Sequence, residues 1–223
     1  MPLPRFTKFV LSCTWTPAAM LDADLSALLL VGGKVRTDDD FVFYNQPASR
    51  DGAVEHPDKQ HLPGGGTLDR ITVDLQDLDP AVDSLVFVIS LDGPAGSALA
   101  GLGHIGARLD IVDGAPVTSF ELAGLVAETA AVTLELYRRD NWWKVRAVCQ
   151  GYGDGLAGLA RDFGVTVDET PSDAELEIPP EVALPPVVLP GAPPIPTAVS
   201  PAAPAWPLPV DWTRPPVPAG YEI

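Results

Sequence analysis

A chain of 223 residues with 46% hydrophobic content is long enough to bury a sizeable core in one domain or two. Its 30 Asp and Glu outnumber 14 Lys and Arg, for a formal net charge of −16. A surface that acidic repels phosphate backbones and anionic headgroups, which argues against nucleic acid and membrane lipid as direct partners and favours divalent cations or basic protein surfaces.

Taken in order, the chain opens with Arg5 and Lys8 ahead of the apolar Phe9 to Cys13, a lipoprotein-like pattern. The apolar stretch is too short and is broken by Thr14 to Thr16, so no export signal is assigned and a cytoplasmic location is expected. No run approaches the roughly 20 apolar residues needed to span a bilayer. Phe6 to Trp15 alternates as a first strand that Pro17 closes. Cys13 and Cys149 are far apart, with no metal-ligand spacing or disulfide framework, and read as reduced core thiols. Leu25 to Val31 and Phe41 to Tyr44 read as two buried strands with Gly32-Gly33 between them.

Five carboxylates flank that pair: Asp22 and Asp24 before the first strand, Asp38, Asp39 and Asp40 before the second. Strand periodicity puts Asp22, Asp24 and Ser26 on one face. If the strand ends meet, several hard oxygens converge. Crowded carboxylates raise each other's pKa, whereas a calcium ion, which takes 6–8 oxygens, keeps them ionised. A solvated acidic turn is the alternative.

Gln46 to Leu68 is polar and turn-rich and reads as a long loop. Arg70 to Leu75 is a strand with Ile71, Val73 and Leu75 on one face. Ser84 to Leu91 is a continuous apolar run, expected to be covered on both faces. Leu102 to Val112 and Pro116 to Leu122 are two more strands, and Ala130 to Tyr137 with Trp142 to Gln150 form a hairpin turning near Arg138 to Asn141. Leu156, Leu159 and Phe163 give Gly155 to Phe163 a helical period that Gly164 stops. The expected fold is all-β, a two-sheet β-sandwich over residues 1–167 with one short helix near its C-terminal end.

From Asp168 the character changes. The segment 168–223 holds 16 of the 25 prolines and is acidic, so it is expected to be an extended or disordered tail. Its PxxP spacings, Trp206 and Trp212 suit a docking tail for a protein partner.

Catalytic patterns fail on context. Gly101-Leu-Gly-His-Ile-Gly106 has dinucleotide-loop spacing, but a strand rather than a helix follows it. His56 and His61 lie in a Gly/Pro-rich loop and are expected to be solvated. No Ser, Cys or Lys sits in a nucleophile setting. A calcium EF-hand run is absent, so any calcium site must draw ligands from separate strands.

Four blocks in order carry a family resemblance. Asp22-Ala-Asp-Leu-Ser-Ala27 with Leu28 to Leu30, Asp39-Asp40-Phe-Val-Phe-Tyr-Asn-Gln46, Glu135-Leu-Tyr-Arg138, and Trp143-Lys-Val-Arg-Ala147 continuing to Gly151-Tyr152 and Gly155-Leu156 resemble the signatures of the TerD family of tellurium-resistance and general stress proteins. The resemblance implies a calcium-binding β-sandwich with a stress-related, non-enzymatic role and tellurite or oxidant resistance as phenotype. It implies metal ligation by Asp22, Asp24, Asp39 and Asp40, with Asp38 and Asn45 as further candidates. Two departures bear on that site. The family's acidic "GDDE" loop is replaced by Gly64-Gly-Gly-Thr-Leu-Asp-Arg70, leaving Asp69 as the surviving oxygen ligand, and its "GDN" by Pro57-Asp-Lys-Gln60. Calcium affinity follows ligand charge, so the site is expected to be weak, partial or lost. The alternative is an interaction scaffold with a degenerate metal site that recruits partners through the tail, and a metal-dependent hydrolase ranks behind both.

Overall fold

The computed structural model describes residues 2–3, 8–16, 21–112 and 114–165. The tail expected over 168–223 lies outside the described residues, as does Phe6 at the expected start of the first strand.

The strands are β1 (Lys8–Trp15), β2 (Asp22–Leu30), β3 (Phe41–Val42), β4 (Val54–Glu55), β5 (Gln60–His61), β6 (Thr67–Asp74), β7 (Ser84–Asp92), β8 (Ile105–Ile111), β9 (Pro116–Glu121), β10 (Ala130–Arg139) and β11 (Trp142–Tyr152), followed by helix α1 (Gly155–Phe163). They form two antiparallel sheets. One runs β4-β6-β1-β8-β9, with β5 also on β6; the other runs β11-β10-β7-β2-β3.

Alternation builds the core between them. Phe9, Leu11, Cys13 and Trp15 of β1, beside Ile71 and Val73 of the adjacent β6, face Leu25, Ala27 and Leu29 of β2 in one buried cluster. The opposite face of the second sheet is also covered. Leu28, Leu30, Val86, Val88 and Val132 pack with Leu159 of α1, which is why β7 reads as a continuous apolar run from Leu85 to Ile89. Lys34 donates from Nζ to the Asp162 carbonyl at 2.5 Å and the Arg161 carbonyl at 3.3 Å. A cation at the helix C-terminus suits its dipole.

Two tight turns set register. Gly32 and Gly33, with φ of +60° and +82°, join Val31 to Lys34, and Asp140 and Asn141, at +54° and +61°, close the β10–β11 hairpin. Both have the left-handed pair of a type I′ turn, whose twist matches that of the strands.

Three expectations are corrected. Asp22 and Asp24 lie within β2 rather than before it, because Asp22 to Leu30 pair along β7 without a break. Phe41 to Tyr44 is cut to two paired residues, since a turn at Tyr44 and Asn45 brings Phe43 back to Gln46. The stretch 46–68 is a loop only in part, and its last two residues, Thr67 and Leu68, already belong to β6. The short strands β4 and β5 pin it to the edge of β6, with Val54 opposite Val73 and Gln60 opposite Leu68.

Candidate functional site

The seven candidate ligands, Asp22, Asp24, Asp38, Asp39, Asp40, Asn45 and Asp69, fall into two groups. Phe41 pairs with Leu28, so the 38–40 segment lies beyond that residue and Asp24 four residues before it, about 13 Å along the strand at roughly 3.3 Å per residue.

At the first rim, Asp22 and Asp24 project from the same side of β2, and residue 59, between β4 and β5, reaches them. Lys59 Nζ lies 2.7 Å from Asp24 Oδ1 and 2.9 Å from Asp22 Oδ2, and donates to the Ala23 carbonyl at 2.7 Å. The Trp15 indole Nε1 donates to Asp22 Oδ1 at 3.1 Å, and its ring lies 5.9 Å from the same ammonium. Burial alone would raise the Asp22 carboxyl, but Lys59, the Ala23 amide and Trp15 hold it below the usual carboxylate range. Burial likewise opposes the charge on Lys59, yet Asp24 and Asp22 hold its pKa above the ordinary value.

Asp69 is the deepest of the seven. The same parity that turns Ile71 and Val73 inward turns Asp69 inward, opposite Cys13 of β1. Its carboxylate is fully buried. Oδ2 accepts the Leu25 amide at 2.8 Å, and Oδ1 accepts the Arg70 amide at 2.8 Å. One carboxylate thereby ties β2 of one sheet to β6 of the other. His56 Nε2 lies 2.9 Å from Asp69 Oδ1. It makes no aligned hydrogen bond there. His56 is thus buried, contrary to the expectation of a solvated loop histidine, because its amide is fixed to the Pro47 carbonyl next to β4. His61 is exposed, as expected. Burial, aided by the nearby Asp69, pushes the Cys13 thiol far up, so this core cysteine is no nucleophile.

The second rim centres on Arg36. Its Nε and Nη2 bond Asp40 Oδ2 at 2.8 Å and Oδ1 at 2.7 Å, its amide adds a bond to Oδ2 at 3.0 Å, and Nη1 reaches Asp79 Oδ2 at 2.5 Å. Asp51 accepts the Ser49 hydroxyl at 2.6 Å and the Asp79 amide at 2.8 Å. Arg36 holds Asp79 below its usual range. Asp38 and Asp39 are exposed on the 3-10 turn Asp38–Asp40, and Asn45 is exposed in the turn after β3.

Neither rim fits the calcium ion that the resemblance implies. At the first rim an ammonium already lies between the Asp22 and Asp24 oxygens, and at the second a guanidinium engages both oxygens of Asp40. Among the described residues no three His, Cys, Asp or Glu side chains are arranged to hold a metal ion. Arg36, Lys59, Asp51 and Asp79 were not among the expected site residues. Asp69 was reached through the family resemblance, and its parity with Ile71 is the signal for its burial; for Lys59 the signal is its place as a cation among Glu55, Asp58 and Asp69.

Comparison with known proteins agrees with this architecture. The TerD domain family matches residues 2–163. The chain belongs to the TerD family. It is 36% identical over 151 residues to the tellurium resistance protein TerD of Serratia marcescens, covering 65% of this chain and 78% of that one. It is 32% identical over 177 residues to general stress protein 16U of Bacillus subtilis strain 168, covering 74% of this chain and 91% of the other. The crystal structure of SAV2460, a protein of unknown function, superposes with a TM-score of 0.60 at 22% identity, covering 73% of this chain and 99% of that one, and supports the fold alone. These family relatives are named as resistance and stress proteins, which supports a stress-response role for the TerD domain described here. Among the described residues no helix is long and apolar enough to cross a membrane.

Proposed function

We propose that this chain is a cytoplasmic, non-catalytic stress-response protein of the TerD type that protects cells against tellurite and oxidants by binding rather than by turnover. The observation that carries this reading is the family match across the whole sandwich, 2–163, with relatives named for tellurium resistance and general stress. The local chemistry supports it. Asp22, Asp24, Asp40 and Asp69, the carboxylates a hydrolase would need, are engaged by Lys59, Arg36 and backbone amides in contacts that brace a turn or tie strands together. A general acid or base needs a free proton position facing substrate.

The test is survival of a strain lacking this chain, with and without complementation, on tellurite and on peroxide. The reading expects a several-fold loss on at least one agent, restored by the intact gene; unchanged survival on both sinks it. The proline-rich stretch 168–223 supports a second element of the same reading, recruitment of a protein partner. A truncation ending at residue 167 is expected to melt like the full chain and to fail to complement. Full complementation by the truncation removes the tail from the mechanism.

A further inference from the structure

We propose that Lys59 takes the place of a divalent cation at the first rim, so that the fold of this chain is independent of calcium. The coordination fits an ammonium. A lysine head has three N–H donors, and three oxygens surround it: Asp24 Oδ1 at 2.7 Å, the Ala23 carbonyl at 2.7 Å and Asp22 Oδ2 at 2.9 Å. Each donor therefore has one acceptor, and the Trp15 ring lies 5.9 Å away. An exposed lysine in a surface ion pair adopts many rotamers; here the side chain is only 20% exposed.

The backbone that delivers it is also held. Residue 59 lies between two short strands, β4 and β5, that both pair with β6, so the loop is anchored on each side of the lysine. The same segment places His56 against Asp69, which in turn accepts the Leu25 amide of β2. The ammonium thus joins the edge of one sheet to a loop fixed on the other, the role a cation shared by strand ends would otherwise fill. The substitution is incomplete in charge. One positive charge faces the two carboxylates of Asp22 and Asp24, whereas calcium would bring two and ask for 6–8 oxygens. The trade is a weaker field for a cation that cannot dissociate.

The test uses the full chain and calcium chloride as the probe, with magnesium chloride at equal ionic strength as control and thermal melting as readout. For the wild type the midpoint is expected to move by less than about 1 °C from chelator to millimolar calcium. Lys59→Met, which keeps the stem and removes the charge, should melt roughly 2–4 °C lower in chelator. Calcium should then recover at least half of that loss, and magnesium less. A wild type that gains several degrees with calcium overturns the proposal, as does a Lys59→Met protein of reduced stability that calcium does not rescue.

Should Lys59→Met fail to fold in chelator, the wild type still decides the matter. Its Asp22 to Asp24 amide NMR signals are expected to stay in place through millimolar calcium, and a saturable shift confined to those residues refutes the proposal. Because every readout is biophysical, a negative result leaves the stress-protection reading untouched, and failed complementation leaves this one untouched.

Discussion

The two acidic rims solve one electrostatic problem in different ways. At Arg36 the cation is local: it sits four residues before Asp40, and its planar fork takes both oxygens of that carboxylate while a third nitrogen reaches Asp79. At Lys59 the cation is remote, brought from 37 residues away in sequence to Asp22 by a segment whose His56 lies against Asp69, the buried carboxylate that crosses between sheets. A guanidinium matches carboxylate geometry and resists replacement by an ion, whereas an ammonium is a compact point charge, closer to a metal ion in shape. The Arg36 rim therefore braces a turn, while the Lys59 rim joins two layers.

That contrast can be broken experimentally, most severely at Asp69. Asp69→Ala strips the acceptor from the Leu25 and Arg70 amides and leaves His56 facing a gap, and is expected to cost about 3–5 kcal/mol in urea unfolding. A loss below about 1 kcal/mol would mean that the sheets are not tied there. Arg36→Ala leaves the nearly buried Asp40 without its fork and should cost about 2 kcal/mol, with Arg36→Lys restoring only part because the bidentate match is gone. Full recovery by lysine would erase the distinction drawn between the rims.

Acid titration sharpens the comparison further. The folded pKa values of Asp22 and Asp51 are lowered, so their stabilisation is complete above the unfolded value of about 3.9 and is lost as pH falls through the folded values. Lys59 is raised, so its contribution is complete below its unfolded value of 10.5 and is lost as pH rises through the folded value. Stability from the Lys59 rim should be level between about pH 5 and pH 10 and fall on both sides. In Lys59→Met both limbs should become shallower, and limbs identical to wild type would show that the pair is not coupled. The smallest effect is expected at Asp39→Asn, an exposed side chain on the 3-10 turn, within about 0.5 kcal/mol of wild type. A larger loss would indicate a role for Asp39 in the second rim.

Much of the sandwich was legible. Period-two alternation marked β6, the continuous run from Leu85 to Ile89 marked a strand covered on both faces, and Gly164 marked the helix stop with φ of +77°. The strand-like residues after Gly106 disqualified the glycine motif, and β8 occupies that place. Less was legible in 46–68. Its turn-rich composition hid two strands of two residues each, too short for any period to register. The departure Pro57 to Gln60 was readable as missing carboxylates, but the charge that Lys59 supplies in their place depends on where β4 and β5 carry the loop.

Local chemistry alone determined which residues alternate, where the chain turns and which side chains carry charge, because those follow from backbone sterics and from spacing along one strand. Whether seven oxygen-bearing residues share a site is a question of distances between segments dozens of residues apart. The register of β3 on β2 separates Asp40 from Asp24, and the pairing of β4 and β5 with β6 brings Lys59 to Asp22. Tertiary structure decided both, since charges interact through space and their energy falls with a separation that only the packed sheets define.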